Sequence, residues 1–175
     1  MLKKLAFVPL LVLLALGVGS RGAEASVVNL DATFNDFSDP VSVFLLPGDY
    51  IVTPISAQFE AWSAHDGSSC DDYGNCTQGF ENSYWYDVSG FPTFVGDGNL
   101  YQYSFQALAN AIGSSFTMVN PGSVDFYLVD APLFDNRGGM SLDVAAIPEP
   151  ATLTLLVPGL VAAFGRRRFR RHRQQ

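Results

Sequence analysis

Residues 123–130 read SVDFYLVD, a stretch in which apolar and polar side chains alternate. Val124, Phe126 and Leu128 fall on one side of this stretch, with Asp125 and Tyr127 between them. A period of two residues is typical of a β-strand that has one covered face and one wetter face. The stretch therefore predicts a strand at the surface of a packed sheet.

Similar short runs recur through the middle of the chain, separated by turn sequences such as LPGD, NPGS and, at 135–139, DNRGG. A helical spacing of apolar residues occurs only around 105–112. Because eight short strands favour two packed sheets, we predict an all-β fold, a jelly-roll-like β-sandwich, with a closed barrel as the alternative. The predicted strands cover residues 27–34, 41–46, 50–59, 83–88, 100–105, 115–119, 123–129 and 140–145.

Charge is distributed unevenly along the chain. The net charge of the 175 residues is −7, yet six of the ten basic residues lie in the last ten positions. Between Ser26 and Ile147 there are fifteen acidic residues and one basic residue, Arg137, a net charge of −14. Such a surface repels nucleic acid. With 48% apolar residues the chain can bury one core, so we predict one β-sandwich domain at residues 26–146.

The first 25 residues have the features of a secretory signal peptide. Two lysines precede an apolar run from Leu5 to Val18, and the small residues Ala23 and Ala25 suit signal peptidase. A permanent membrane anchor is the alternative, but this run of 14 residues is shorter than the roughly 20 that span a bilayer. We predict a signal helix over residues 1–25 and cleavage after Ala25.

Cys70 and Cys76 are the two cysteines of the chain and lie six residues apart in a turn-rich stretch, SSCDDYGNC. Export places them in an oxidising environment, which favours a local disulfide. Zinc binding is the alternative, but two thiols and one nearby histidine make a poor site. We predict a disulfide between Cys70 and Cys76.

The chain ends in an apolar run followed by a cluster of arginines. Residues 147–165 are 19 mostly apolar positions, long enough for a slightly short membrane helix that Pro158 and Gly159 would kink. The arginines that follow hold this end in the cytoplasm by the positive-inside rule, so the β-domain faces outward. A buried core helix with a disordered basic tail is the alternative.

Pro148, Glu149 and Pro150 lie at the start of this segment, and the motif, the apolar run and the arginines follow one another to the end of the chain. Over residues 147–175 this order resembles the PEP-CTERM sorting signal of Gram-negative bacteria. The resemblance implies export across the inner membrane, transient anchoring, recognition by an exosortase, and transfer to the cell surface or extracellular matrix. It also implies exopolysaccharide as a candidate partner. The prolines keep the motif extended, because neither proline continues a helix.

Two clusters of acidic and amide side chains fall in predicted turns. Oxygen-rich loops of this kind suit calcium, but Asp and Asn are also ordinary turn formers, so both interpretations stay open. The first cluster, around the cysteines, contains Asp66, Asp71, Asp72 and Asn75, and the second contains Asp130, Asp135 and Asn136.

The β-domain also resembles the galactophilic calcium-dependent lectins, which are jelly-roll-like, in the order LPGDYIV, AWSAHD, a short loop between two cysteines, and FYLVDAPLFDNRGGMSLDV. The resemblance implies that Asp130, Asp135 and Asn136 hold a calcium ion that binds sugar hydroxyls, with the backbone carbonyl of Phe134 as a further ligand. The spacing is shorter than in that family, and His65 stands where the family has an aromatic residue. No other cofactor is predicted.

Four aromatic side chains, Trp62, Tyr84, Trp85 and Tyr86, are candidates for stacking on sugar rings. Packing within the sandwich is the commoner fate of such side chains. In either case the period of two places Trp85 on the opposite face of its strand from Tyr84 and Tyr86.

Catalysis has little support in the sequence. His65 is the one histidine between residues 26 and 147, and neither G-x-S-x-G nor H-E-x-x-H occurs. Glu60 and Glu81 would form a hydrolytic pair only if they lie close in space. We therefore expect a non-enzymatic surface or matrix protein, with a calcium-assisted carbohydrate-binding module as the alternative and a secreted hydrolase as a third hypothesis.

Truncation after Ile147 tests the sorting signal. We expect the truncated chain to appear in the periplasm or medium, because the predicted anchor and motif are both removed. Cell fractionation is the measurement, and a truncated chain retained in the membrane like the full chain would contradict the prediction. As a control, replacing the arginines with Gln should leave export intact while exposing the tail to external protease.

Overall fold

The computed structural model describes residues 25–148. Within this range the chain forms eleven strands, one short α-helix and one 3-10 helix. The strands are β1 (Ser26–Asp31), β2 (Val41–Leu45), β3 (Gly48–Ile55), β4 (Trp62–Ser63), β5 (Ser69–Cys70), β6 (Cys76–Gln78), β7 (Tyr84–Val88), β8 (Phe91–Val95), β9 (Ser114–Met118), β10 (Gly122–Tyr127) and β11 (Arg137–Ala146); the helices are α1 (Ser104–Ala109) and the 3-10 helix Leu133–Asp135.

Two antiparallel sheets make up the body. The first has the strand order β1-β11-β3-β9, with β4 pairing to the start of β11, and the second has the order β2-β10-β7-β8. β5 and β6 form a separate two-stranded hairpin. The prediction of an all-β, two-sheet sandwich is therefore confirmed for the described residues.

The predicted flanking helices lie outside the described residues, apart from the few positions that adjoin the sandwich. Between residues 25 and 148 no helix is long and apolar enough to cross a membrane.

The core lies between the two sheets. It is formed by side chains that alternate along the strands of both sheets. Val124 and Phe126 of β10, which the alternation predicted to be covered, are fully buried. Met140, Leu142 and Val144 of β11 face them from the other sheet and are fully buried as well. Burial of apolar surface of this kind contributes about 25 cal/mol per Å² removed from water, so the sandwich depends on this contact.

Two predictions of local structure were wrong. Residues 100–105 do not form a strand: Tyr101 makes an isolated bridge to Phe80, and α1 begins at Ser104. The helix matches the helical spacing around 105–112, and Ala107 is its buried residue. The turn predicted at 135–139 is shorter than expected, because Arg137 already pairs with Ser63 of β4.

β8 was missed in the sequence because Pro92 interrupts its apolar run. Proline lacks a backbone donor and is confined to edge strands. β8 is the edge of the second sheet, where it pairs with β7 alone.

Cys70 and Cys76 form a disulfide, which confirms the predicted pairing. The bond joins β5 to β6 across the hairpin. Both sulfurs are bonded to each other, so the alternative of a zinc site at these cysteines is wrong for this structure.

A substitution at Gly139 tests how closely β11 is packed against its neighbours. A Cβ at this position would clash with the carbonyl oxygen of Leu30 and lie 2.8 Å from the ring of Phe59. We expect Gly139→Ala to lower the free energy of unfolding by about 1–3 kcal/mol, the usual cost of overpacking. Urea denaturation is the measurement.

Gly122→Ala is the matched control, since Gly122 is also in a strand but its Cβ would meet only Met118 Cε, at 3.7 Å. An equal loss of stability in the two variants would show that the contacts around Gly139 are not responsible.

Candidate functional site

The predicted calcium cluster lies at the rim of the sandwich, in the connection from β10 to β11. Asp130 follows the end of β10, Asp135 ends the 3-10 helix, and Asn136 precedes β11. The backbone N–H of Asn136 donates to the carbonyl of Leu133, at 3.2 Å, which closes the helical turn. We call Asp130, Asp135 and Asn136 the rim cluster.

Asn136 is anchored on one side of its amide and open on the other. Its side chain is 6% exposed, and Nδ2 donates to the carbonyl oxygen of Ala32 at 2.9 Å. A carbonyl can only accept, so this bond requires the NH2 group to face Ala32 and directs Oδ1 elsewhere. Among the described residues the Oδ1 atom has no hydrogen-bond partner.

In the described part of the chain, Asp135 also has a side-chain oxygen atom without a hydrogen-bond partner. Its Oδ1 atom is buried and has no hydrogen-bond partner within residues 25–148. Buried oxygen atoms in proteins are nearly always paired, and an unpaired one costs about 1–3 kcal/mol. Two such atoms on adjacent residues form a pair of free acceptors, which a hydrogen-bond donor or a metal ion can meet.

One residue of the acidic cluster around the cysteines, Asp66, lies near the rim cluster. Arg137, next to the rim cluster, lies 3.9 Å from Asp66, which the sequence grouped with the cysteines. Both side chains are largely exposed, so this ion pair adds little stability. It does place the loop after β4 beside the rim cluster.

The rest of the cysteine cluster has a structural explanation. The Asp71 carboxylate accepts hydrogen bonds from the backbone N–H groups of Tyr73 and Asn75, at 2.9 and 2.8 Å, and from Asn75 Nδ2 at 2.8 Å. The bonds from Asn75 are the main reason that the pKa of Asp71 is lowered. Asp71 is therefore a turn former in the disulfide hairpin.

Glu81 is a charged neighbour of the rim cluster that the sequence did not assign to it. Burial is the main cause of the raised pKa of Glu81, and the charge of Asp130 raises it further. A hydrogen bond from Ser83 and the charge of His65 lower that pKa. Asp130 and His65 therefore both lie close enough to Glu81 to act on its carboxylate, a relation that only the fold reveals.

Glu60 and Glu81 have different surroundings. Glu60 accepts hydrogen bonds from Ser104 Oγ at 2.7 Å and from Ser56 Oγ at 3.3 Å. The charges that act on Glu81 come instead from Asp130 and His65.

In the part of the chain that the structure describes, no group of three or more His, Cys, Asp or Glu side chains is arranged to hold a metal ion. The rim cluster has two carboxylates and one amide, so the calcium site stays a prediction.

The four aromatic candidates divide between core and surface. Trp62, Tyr84 and Tyr86 are buried, and Trp62 Nε1 donates to the carbonyl of Ser83 at 2.9 Å. Trp85 alternates with Tyr84 and Tyr86 in β7 and lies on the outer face of the second sheet. Packing within the sandwich thus accounts for Trp62, Tyr84 and Tyr86, but not for Trp85.

No family model matches the chain, and no curated protein matches it. A solved structure described as "EclA N-terminal domain; PllA-like lectin" is similar over 73% of this chain and 100% of that chain, at 17% sequence identity and a TM-score of 0.38. This degree of similarity is too low to carry a ligand or an activity over to this chain.

Glu81→Gln tests the electrostatics beside the rim cluster. A raised pKa means that the folded state favours the protonated form, so the folded state loses stability as pH rises through the folded pKa. Gln removes the charge and still accepts the hydrogen bond from Ser83. We expect the variant to be more stable than the wild type at neutral pH and to match it under acidic conditions below the usual carboxyl pKa.

Urea denaturation at several pH values is the measurement, and Glu60→Gln is the control for removing one negative charge elsewhere in the domain. A Glu81→Gln variant that is no more stable than wild type at neutral pH would contradict the prediction.

Proposed function

We propose that the β-sandwich is a non-enzymatic carbohydrate-binding domain that uses a calcium ion held by the rim cluster. The observation that carries this proposal is the pair of buried oxygen atoms without partners, Asp135 Oδ1 and Asn136 Oδ1. Calcium takes six to eight oxygen ligands in flexible geometry, and carboxylate and amide oxygens are among those it prefers.

The residues present fit such an ion. Asp135 and Asn136 contribute the two unpaired oxygens, Asp130 contributes a second carboxylate, and the backbone carbonyl of Phe134 is the further ligand implied by the lectin resemblance. Once bound, calcium supplies positive charge and coordination positions that sugar hydroxyls can fill. The ring of Phe134 is 87% exposed and is available to contact the apolar face of a sugar.

We further propose that the chain is exported and sorted. The supporting features are the sequence of residues 1–25, which predicts a signal peptide with signal peptidase cleavage after Ala25, and the PEP-CTERM-like segment at 147–175. An exosortase would recognise Pro148, Glu149 and Pro150, of which Glu149 and Pro150 lie outside the described residues. The protein would be held transiently in the membrane and then passed to the cell surface or matrix, where exopolysaccharide is its candidate ligand.

The bounds of the sandwich support the proposed division of the chain into 1–25, 26–146 and 147–175. β1 begins at Ser26 and β11 ends at Ala146. The strand order also supports a jelly-roll assignment. With the short strands β4, β5 and β6 set aside, the eight main strands divide equally between the two sheets, and the chain passes from one sheet to the other several times.

A secreted hydrolase is the less favoured alternative. The serine contacts of Glu60 and the separate electrostatic surroundings of Glu81 do not support a catalytic carboxylate pair.

Calcium should stabilise the folded protein, because the ion binds oxygen atoms that only the folded state brings together. The expected gain is about 2.7 kcal/mol when calcium is at a hundred times its dissociation constant. Magnesium should do less, since it favours small octahedral sites and gives up water reluctantly. A thermal melt of the full chain in calcium, in magnesium and in chelator is the measurement.

Asp135→Asn and Asp130→Asn should each reduce the calcium response. Asp72→Asn is the matched control, because Asp72 is exposed in the disulfide hairpin. Asp66→Asn is unsuitable as a control, since Asp66 is next to Arg137. A melting midpoint that is the same in calcium and in chelator would leave the rim cluster as a turn and remove the metal from the proposal.

A further inference from the structure

A row of aromatic rings crosses the outer face of the second sheet. Phe37 meets Tyr127 with ring centroids 5.6 Å apart, Tyr127 is parallel to Trp85 at 6.4 Å, and Trp85 meets Phe94 at 5.3 Å. Tyr127, Trp85 and Phe94 are direct cross-strand neighbours in β10, β7 and β8. We call Phe37, Tyr127, Trp85 and Phe94 the aromatic row.

The aromatic row is separate from the core. Tyr127 is 3% exposed, but it is not among the residues packed between the sheets, because its neighbours Phe126 and Leu128 occupy that side. Phe37, from the segment between β1 and β2, covers its ring on the outside. The ends of the row stay open, with Phe37 70% and Phe94 49% exposed.

Two carboxylates lie beside the row on the same face. Asp125 and Asp87 are two residues from Tyr127 and Trp85 along their strands, and they are directly opposite each other across β10 and β7. Ser42 Oγ donates a hydrogen bond to Asp125, and the backbone N–H of Gly90 donates to Asp87 at 2.6 Å. Burial raises the pKa of Tyr127, and the charges of Asp87 and Asp125 raise it further, so both carboxylates act on the row.

No cation neutralises this pair among the described residues. Arg137, the one basic residue between Ser26 and Ile147, is on the other sheet and lies near Asp66. Like charges directly opposite each other in a sheet are destabilising. This face therefore carries two negative charges that no cation within residues 25–148 neutralises, beside the apolar aromatic row.

The net charge of the domain determines which class of ligand can bind this face. The net charge of −14 between Ser26 and Ile147 opposes the approach of an anionic polymer, and it opposes a second copy of this chain, which would bring four carboxylates together. A basic peptide has the complementary charge, but peptides are usually bound along a sheet edge or in a groove. Asp87 and Asp125 are in the two inner strands, since β2 and β8 are the edges.

We propose that the aromatic row, with Asp87 and Asp125, binds a polysaccharide whose sugars carry free amino groups. The exposed rings contact the apolar faces of the sugars, and the two carboxylates pair with the ammonium groups. Ser42 and the carboxylate oxygens are also partners for sugar hydroxyls. This site needs no metal and is independent of the calcium site proposed at the rim.

Tryptophan fluorescence of the full chain in detergent, measured in chelator, provides the test. The chain has two tryptophans; Trp62 is buried in the core, so Trp85 is the one that a ligand on this face would affect. The probes are glucosamine oligosaccharides at a pH where the amines are protonated, their fully N-acetylated counterparts, galacturonate oligosaccharides, and oligolysine. We expect the glucosamine oligosaccharides to bind, with affinity that falls as salt is added.

Variants separate binding from folding. Phe94→Ala should weaken binding about fivefold through loss of an exposed ring. Asp87→Asn should weaken it about threefold while leaving the melting temperature unchanged or higher, because a like-charged pair is removed. Tyr73→Ala and Asp143→Asn are the matched controls: Tyr73 is an exposed ring in the disulfide hairpin, and Asp143 is in a strand of the other sheet.

The proposal is overturned by absence of binding, by equal binding of the N-acetylated oligosaccharides, or by stronger binding of oligolysine. It is also overturned if Phe94→Ala breaks a dimer of this chain. Because the assay contains chelator, none of these results bears on the calcium site, and a calcium-dependent melt without glucosamine binding would overturn only this inference.

Discussion

The pairing of strand β11 on both of its edges is the constraint on which the described structure depends. β11 hydrogen-bonds to β1 along one edge and to β3 along the other, and its first residues pair with β4. Its side chains are covered on both faces. Leu142 and Val144 lie in the core, and Ser141, on the opposite face, donates to Asn29 and accepts from the N–H of Phe59. A slip of one residue would exchange these two sets, so the register is strongly specified.

This register also positions the rim cluster. Because β1 and β11 are paired, Ala32, which follows β1, lies where the Asn136 amide donates to its carbonyl. That bond leaves Asn136 Oδ1 without a partner, and Asp135 Oδ1 is unpaired beside it. Asn136 directly precedes β11, so the pairing of that strand fixes its position, whereas Asp130 and Asp135 lie in the connection before it. The unpaired Asn136 Oδ1 is therefore a consequence of how the sheet is built.

Acidic charge links the two surfaces on which function is proposed. Fifteen acidic residues and one basic residue lie between Ser26 and Ile147, so the domain repels its own copies and attracts cations. At the rim the proposed cation is a metal ion that oxygen atoms can coordinate. On the outer sheet face it is an ammonium group, because there the carboxylates lie beside aromatic rings. The local neighbours of each carboxylate thus decide which cation is complementary.

The sequence by itself determined the features that depend on near neighbours. The period of two in 123–130 predicts β10 and its buried face, and the spacing of Cys70 and Cys76 predicts their disulfide. The sequence could not reveal β8, since Pro92 breaks its pattern, and it misplaced a strand at 100–105. Only the tertiary structure placed Asp66 beside Arg137, left Asn136 Oδ1 unpaired, and set Asp87 opposite Asp125. Each of these depends on strands or loops distant in sequence, whose pairing is decided by the burial of one shared core.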